Sequence, residues 1–205
     1  MIELYFSAFV TLFVVIDPPG CAPIFAGLTS GTPASHRRTM AVRSTLVATA
    51  ILLGFALIGK AFLDSLGVSL AAFRIAGGIM LFLIALEMVF EKRTARRESR
   101  AESLKATEHE DISVFPMGIP MIAGPGSIAS TMLLMARARG LEEHLAVFGA
   151  LASILVLTLV SLLVAGPLMK LVGEKVETVI TRILGVILAA LAVQFVLDGV
   201  KAGLG

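Results

Sequence analysis

Apolar residues in this chain gather into long blocks separated by short polar stretches, with no sustained strand-like alternation. A membrane-spanning helix needs about 20 mostly apolar residues, because each rises about 1.5 Å through a hydrocarbon core of roughly 30 Å. The pattern predicts six spans, at about 3–29, 43–63, 69–90, 112–136, 145–169 and 178–201. The fifth is the cleanest, with no charge in the 25 residues from Leu145 to Met169. The fourth is also charge-free but is cut by Pro116, Pro120 and Pro125, and the first carries Asp17 near its middle. Helices satisfy their own backbone groups, which lipid cannot do for them, so an all-α integral membrane protein is the expected class.

Composition agrees. Of 205 residues, 57% are hydrophobic and 16% charged, and the mean hydropathy is +0.95. Soluble domains run nearer 45–50% apolar and about 25% charged. A net charge of +2 gives no global attraction for nucleic acid. One cysteine, Cys21, excludes an internal disulfide and a paired-cysteine metal or redox site. The start, Met1-Ile2-Glu3, lacks the basic region of a cleavable signal peptide.

Charge asymmetry orients the spans. The loops at about 30–43, 91–111 and 170–177 hold eleven basic residues, whereas the opposite side holds Lys60, Arg137, Arg139 and Lys201. Basic loops stay in the cytoplasm, which puts both termini outside. The segment 91–111 mixes six bases with six acids and reads as a cytoplasmic charged linker between residues 1–90 and 112–205.

A shift of 106–108 residues brings the two halves into register. Pro19-Gly20 falls on Pro125-Gly126, His36 on His144, and Arg74-Ile75-Ala76-Gly77 on Arg182-Ile183-Leu184-Gly185. Three spans per half reverse the direction of the next half, so a 3+3 inverted repeat is expected.

Asp17-Pro18-Pro19-Gly20 and Ala123-Gly124-Pro125-Gly126 occupy matching places in spans one and four. Proline removes a backbone donor and clashes with the preceding turn, and glycine admits other angles, so both spans are expected to be broken there. Paired interruptions of this kind point to a transporter's substrate site. Half-helices starting near Gly20-Cys21 and Gly126-Ser127 would offer N–H groups to a carboxylate. Asp17 and unwound carbonyls would receive an ammonium, and Gly124 would allow close approach. A small zwitterion fits both. The same residues also have a structural reading, in which Asp17 caps a helix that begins with Pro18, and Cys21 and Ser127 are small packing residues.

Charges within the spans are costly and need partners or water. Asp17 and Glu87 are the candidate proton-coupling carboxyls. Arg74 and Arg182 are candidate intramembrane charge partners, or else extend along their stems to the interface. No catalytic set and no cluster of metal ligands is recognisable, so no enzyme activity and no cofactor are expected.

The run from Asp17 to Phe25 and the run from Pro116 to Ile128 resemble the first- and fourth-span signatures of the MarC family of bacterial and archaeal inner-membrane proteins. Arg74–Met80, Arg182–Leu188 and Gln194–Gly199 are similar too. The resemblance spans essentially the whole chain. It implies a place in the lysine-exporter-like transporter superfamily, six spans with the N-terminus outside, and kinship to carriers of glycine- and alanine-like amino acids. Thiol–disulfide carriers of that superfamily need a cysteine pair, and Cys21 is alone. The expected activity is proton-coupled secondary transport of small neutral amino acids. Export of another small metabolite or ion, and a non-transporting channel or scaffold, are the alternatives. The expected partners are a small-molecule substrate, the lipid bilayer and, in a homo-oligomer, a second copy of the chain.

Overall fold

The computed structural model describes residues 1–90 and 111–204, without the side chains of residues 167–177. The charged linker expected at 91–111 lies outside the described residues except for Asp111. Among the described residues there is no strand. The helices are α1 (Ile2–Ile16), α2 (Pro18–Leu28), α3 (Ala34–Ser65), α4 (Leu70–Val89), α5 (Pro125–Arg137), α6 (Gly140–Leu163) and α7 (Ala165–Leu204), with a wound segment at Ser113–Ile122 before α5.

Five stretches are long and apolar enough to cross a bilayer: Ile2–Leu28, Ala34–Ser65, Leu70–Val89, Gly140–Leu163 and Thr178–Leu204. A sixth is formed if the wound segment and α5, bent by 53° to one another, are counted together. Two boundaries differ from expectation. The first basic loop is shorter than 30–43, because α3 starts at Ala34 and carries Arg37, Arg38 and Arg43 on its own early turns. Residues 170–177 are helical within α7, and α6 ends at Leu163 rather than at 169. Hydropathy marks the depth of the lipid, whereas a helix continues past that depth wherever proline and glycine do not stop it.

Span one is the centre of the bundle. Of its most apolar stretch, 72% is buried, against 28% for Ala34–Ser65, for Leu70–Val89 and for Thr178–Leu204. One core cluster joins Leu12, Ile16 and Phe25 to Met117, Ile122, Leu151 and Ile154, and a second joins Val14 and Val15 to Leu81, Leu133 and Leu188. The outer helices leave large apolar side chains exposed, among them Leu57, Ile58, Leu83, Ile183 and Val186. In water such a surface would drive association, and in lipid it is the solvated face.

The tightest helix pair is α4 with α7. A Cβ on Gly78 would lie 2.8 Å from the Ala192 carbonyl oxygen, one on Gly185 3.1 Å from that of Ala85, and one on Gly199 3.0 Å from that of Ala71. Rising numbers on one helix meet falling numbers on the other, so the pair is antiparallel, with backbones nearly touching where side chains are absent. Further pairings join α1 to α6, α3 to the wound segment, α2 to α6 and α7, and α5 to α1, α3 and α4.

The wound segment is not an α-helix. Phe115 and Ile119 have extended angles, each ahead of a proline in a cis peptide. Met117 N–H donates to the Ile112 carbonyl and Ala123 N–H to that of Gly118, five residues back in each case. Asp111 secures the entry. Its carboxylate accepts from the side chain and the backbone N–H of Ser113 and pairs with Arg43 at 2.7 Å. The Ser113 hydroxyl and N–H, helped by the charges of Arg43 and His36 and opposed by partial desolvation, hold the Asp111 carboxyl below the usual aspartate value.

Candidate functional site

The chain leaves helical geometry between Ile16 and Pro18. Asp17 there has φ 59° and ψ 64°, the left-handed region, and among the described residues it is the only non-glycine residue with positive φ. It ends α1 and starts α2 at once. The first N–H groups of a helix have no partner within that helix. Pro18 and Pro19 have none to offer, Gly20 N–H donates to Asp17 Oδ1 at 3.1 Å, and Cys21 N–H donates to the Asp17 carbonyl at 3.0 Å. The Cys21 thiol donates to the Ile16 carbonyl at 3.4 Å. The start of α2 is therefore closed by its own residues. Glycine at position 20 is a steric requirement, since a Cβ there would lie 2.2 Å from Asp17 Oδ2.

The start of α5 is built differently. Gly124 takes the cap position, no side chain caps it, and Pro125 follows. A Cβ on Gly124 would fall 2.4 Å from the Pro120 carbonyl oxygen, which explains the glycine. Gly126 and Ser127 carry the first N–H groups. One turn on, Ser130 and Thr131 are completely buried, and neither hydroxyl has a hydrogen-bond partner. Other buried hydroxyls behave otherwise: those of Thr11, Thr29, Ser44, Thr45 and Thr158 each donate to the carbonyl four residues back. That return bond is the ordinary way to satisfy a hydroxyl inside a helix. Ser127, Ser130 and Thr131 lie at i, i+3 and i+4, on one face.

The start of α5 lies against the end of α1. A Cβ on Gly126 would lie 3.2 Å from Val15 Cγ1 and 2.6 Å from Ile84 Cδ1, so α5 begins against the last turn of α1 and against α4. Asp17 is 1% exposed, Cys21 0% and Ser127 2%, which makes the junction closed in this conformation.

The remaining candidates lie on α4 and α7. Glu87 is half-buried on α4, one turn beyond Ile84. Arg74 lies about 20 Å from Glu87 along the same helix, half-buried, while Arg182 is exposed on α7. Antiparallel packing puts Arg74 beside Gly199 and Arg182 toward the opposite end of the pair. Sequence reasoning passed over Ser130 and Thr131, although their spacing from Ser127 was visible. It also passed over Arg137, counted only as a loop base. Arg137 pairs with Asp198 and lies 4.7 Å over the Phe195 ring. No group of three or more His, Cys, Asp or Glu side chains able to hold a metal occurs among the described residues.

The family comparison and the curated relatives agree. Residues 2–204 match the description MarC family integral membrane protein. The UPF0056 membrane protein MJ1677 of Methanocaldococcus jannaschii is 37% identical over 203 residues, covering 99% of this chain and 98% of the relative. The UPF0056 membrane protein YvbG of Bacillus subtilis is 35% identical, over 98% of this chain and 96% of its own length. YhcE of Escherichia coli is 31% identical, over 97% and 92%. No solved structure matches the chain. Bacteria and archaea thus both carry relatives that share nearly the full length, and the chain belongs to the MarC family of integral membrane proteins.

Proposed function

We propose that this chain is a secondary transporter of small neutral amino acids such as glycine and alanine, coupled to protons, with both termini outside the cytoplasmic membrane. The observation that carries this reading is the pair of buried, unpartnered hydroxyls, Ser130 and Thr131, just inside an uncapped helix start that abuts the Asp17 junction. Leaving a buried donor unmade costs about 1–3 kcal/mol, and a solute that accepts from it recovers that cost. A substrate carboxylate would meet the Gly126 and Ser127 N–H groups and these hydroxyls, where the helix dipole favours negative charge. The Gly20 and Cys21 N–H groups, also expected to serve, are engaged within α2, so the second interruption carries the anion subsite. The substrate amine would meet the Asp17 carboxylate, which also accepts from Gly20 N–H at 3.1 Å. A proton on Asp17 would compete with that amine, which supplies the coupling, and Glu87 is the second candidate for the role.

The architecture that goes with this reading is a 3+3 inverted repeat, with spans one and four broken. Its support is the symmetry of the pairings. Exchanging α1 with the wound segment, α2 with α5, α3 with α6 and α4 with α7 turns α1–α6 into the wound segment with α3, α2–α7 into α5–α4, and α2–α6 into α5–α3, all of which occur. A non-transporting scaffold draws on one observation, the closure of the junction to solvent. Proteoliposomes loaded with unlabelled glycine and diluted into labelled glycine separate the two. Counterflow that responds to an imposed proton gradient is expected, and its absence for both glycine and alanine under either sign of gradient would overturn the substrate claim.

A further inference from the structure

Away from the junction, a cavity of about 480 Å³ opens between the ends of α4, α5 and α7, lined by Arg74, Arg137, Arg139, Lys201 and Asp198. Four cations face one carboxylate. That carboxylate is already engaged: Asp198 pairs with Arg137 through Oδ2 and accepts from Gln194 Nε2 through Oδ1 at 2.7 Å. Arg137 is fixed further by Phe195, over whose ring it lies. Arg74, Arg139 and Lys201 make no ion pair among the described residues, and Arg74 Nε is buried with no hydrogen-bond partner. The pocket therefore holds an uncompensated charge of three. Arg139 and Lys201 are exposed and Arg74 is half-buried, so an anion in the cavity would gain most at the Arg74 guanidinium, whose buried Nε would then find an acceptor.

We propose that this cavity is a binding site for a phosphate-type oxyanion. The donors are a planar fork at Arg74, suited to two oxygens at once, and flexible charges at Arg139 and Lys201 around it. The Arg137–Asp198 pair forms the fixed wall. The volume accommodates inorganic phosphate or the headgroup of an anionic phospholipid whose chains lie along the apolar outer faces of α4 and α7. The site is separate from the Asp17 junction, and it stands whether or not the chain carries amino acids.

Titration calorimetry of the detergent-purified full chain with inorganic phosphate tests the first source. Native mass spectrometry of retained phosphatidylglycerol, after extraction from nanodiscs containing that lipid, tests the second. Saturable phosphate binding that weakens about tenfold or more in Arg74→Gln, the loss of one charge-assisted contact, supports a free anion. Phosphatidylglycerol held by the natural chain and lost from Arg74→Gln, with no phosphate uptake, supports a lipid headgroup. Lys201→Gln, at an exposed helix end, is expected to weaken the same ligand severalfold and keeps the test open if Arg74→Gln does not fold. The proposal falls if the natural chain takes up neither probe, or if binding survives unchanged in the folded variants.

Discussion

Replacing Gly20 with alanine is expected to unseat the Asp17 carboxylate and to cost about 2–4 kcal/mol of stability, the range for stripping a buried charged acceptor of its donor. The new Cβ would stand 2.2 Å from Oδ2 and 2.8 Å from Cγ, so the carboxylate cannot stay where it caps α2. Moving it breaks the bond from Gly20 N–H and leaves that donor unmade beside a side chain that is 1% exposed. Gly27→Ala is the control on the same helix. A Cβ there meets nothing within 4 Å, and relief of the glycine's backbone entropy makes it neutral or stabilising by up to about 1 kcal/mol. Thermal unfolding in detergent reads the difference, and equal melting temperatures for the two variants would mean that the cap does not hold the junction.

Asp17→Asn separates structure from transport. Asparagine tolerates the left-handed region and caps helices about as well as aspartate, so the melting temperature should stay close to that of the natural chain. The negative charge is gone, however. Removing one member of a buried ammonium–carboxylate contact costs about 2–5 kcal/mol, so glycine counterflow should fall on the order of a hundredfold. A folded Asp17→Asn that transports and couples normally would strip Asp17 of its assigned role.

The spans were legible because lipid imposes a simple rule of length and apolarity, and Leu145–Met169 shows it in one glance. Loop ends were less so. The stretches around Arg37 and Lys170 are polar yet helical, since polarity reports where lipid stops and not where hydrogen bonding stops. Pro18-Pro19-Gly20 and Gly124-Pro125-Gly126 marked where helical geometry changes, because proline and glycine act locally. Which of the two helix starts receives a side-chain cap was not legible. It depends on the Asp17 side chain folding back onto Gly20, while Gly124 has no side chain to do the same. The positions of Arg74 and Arg182 needed the antiparallel register of α4 and α7, which is tertiary information. Arg137 looked like one more loop base until Phe195 and Asp198 were brought beneath it.

The most direct measurement is chemical access to the polar face of α5. In a Cys21→Ser background, Ser130→Cys places a small thiol where the buried hydroxyl now lies. If the interruptions enclose a solute path, a membrane-impermeant methanethiosulfonate reagent should modify that thiol in intact vesicles, and glycine should slow the reaction. A thiol that stays unmodified from both sides of the membrane, yet reacts fully once the protein is unfolded in dodecyl sulfate, would mean that the two interruptions only bend helices around a sealed core.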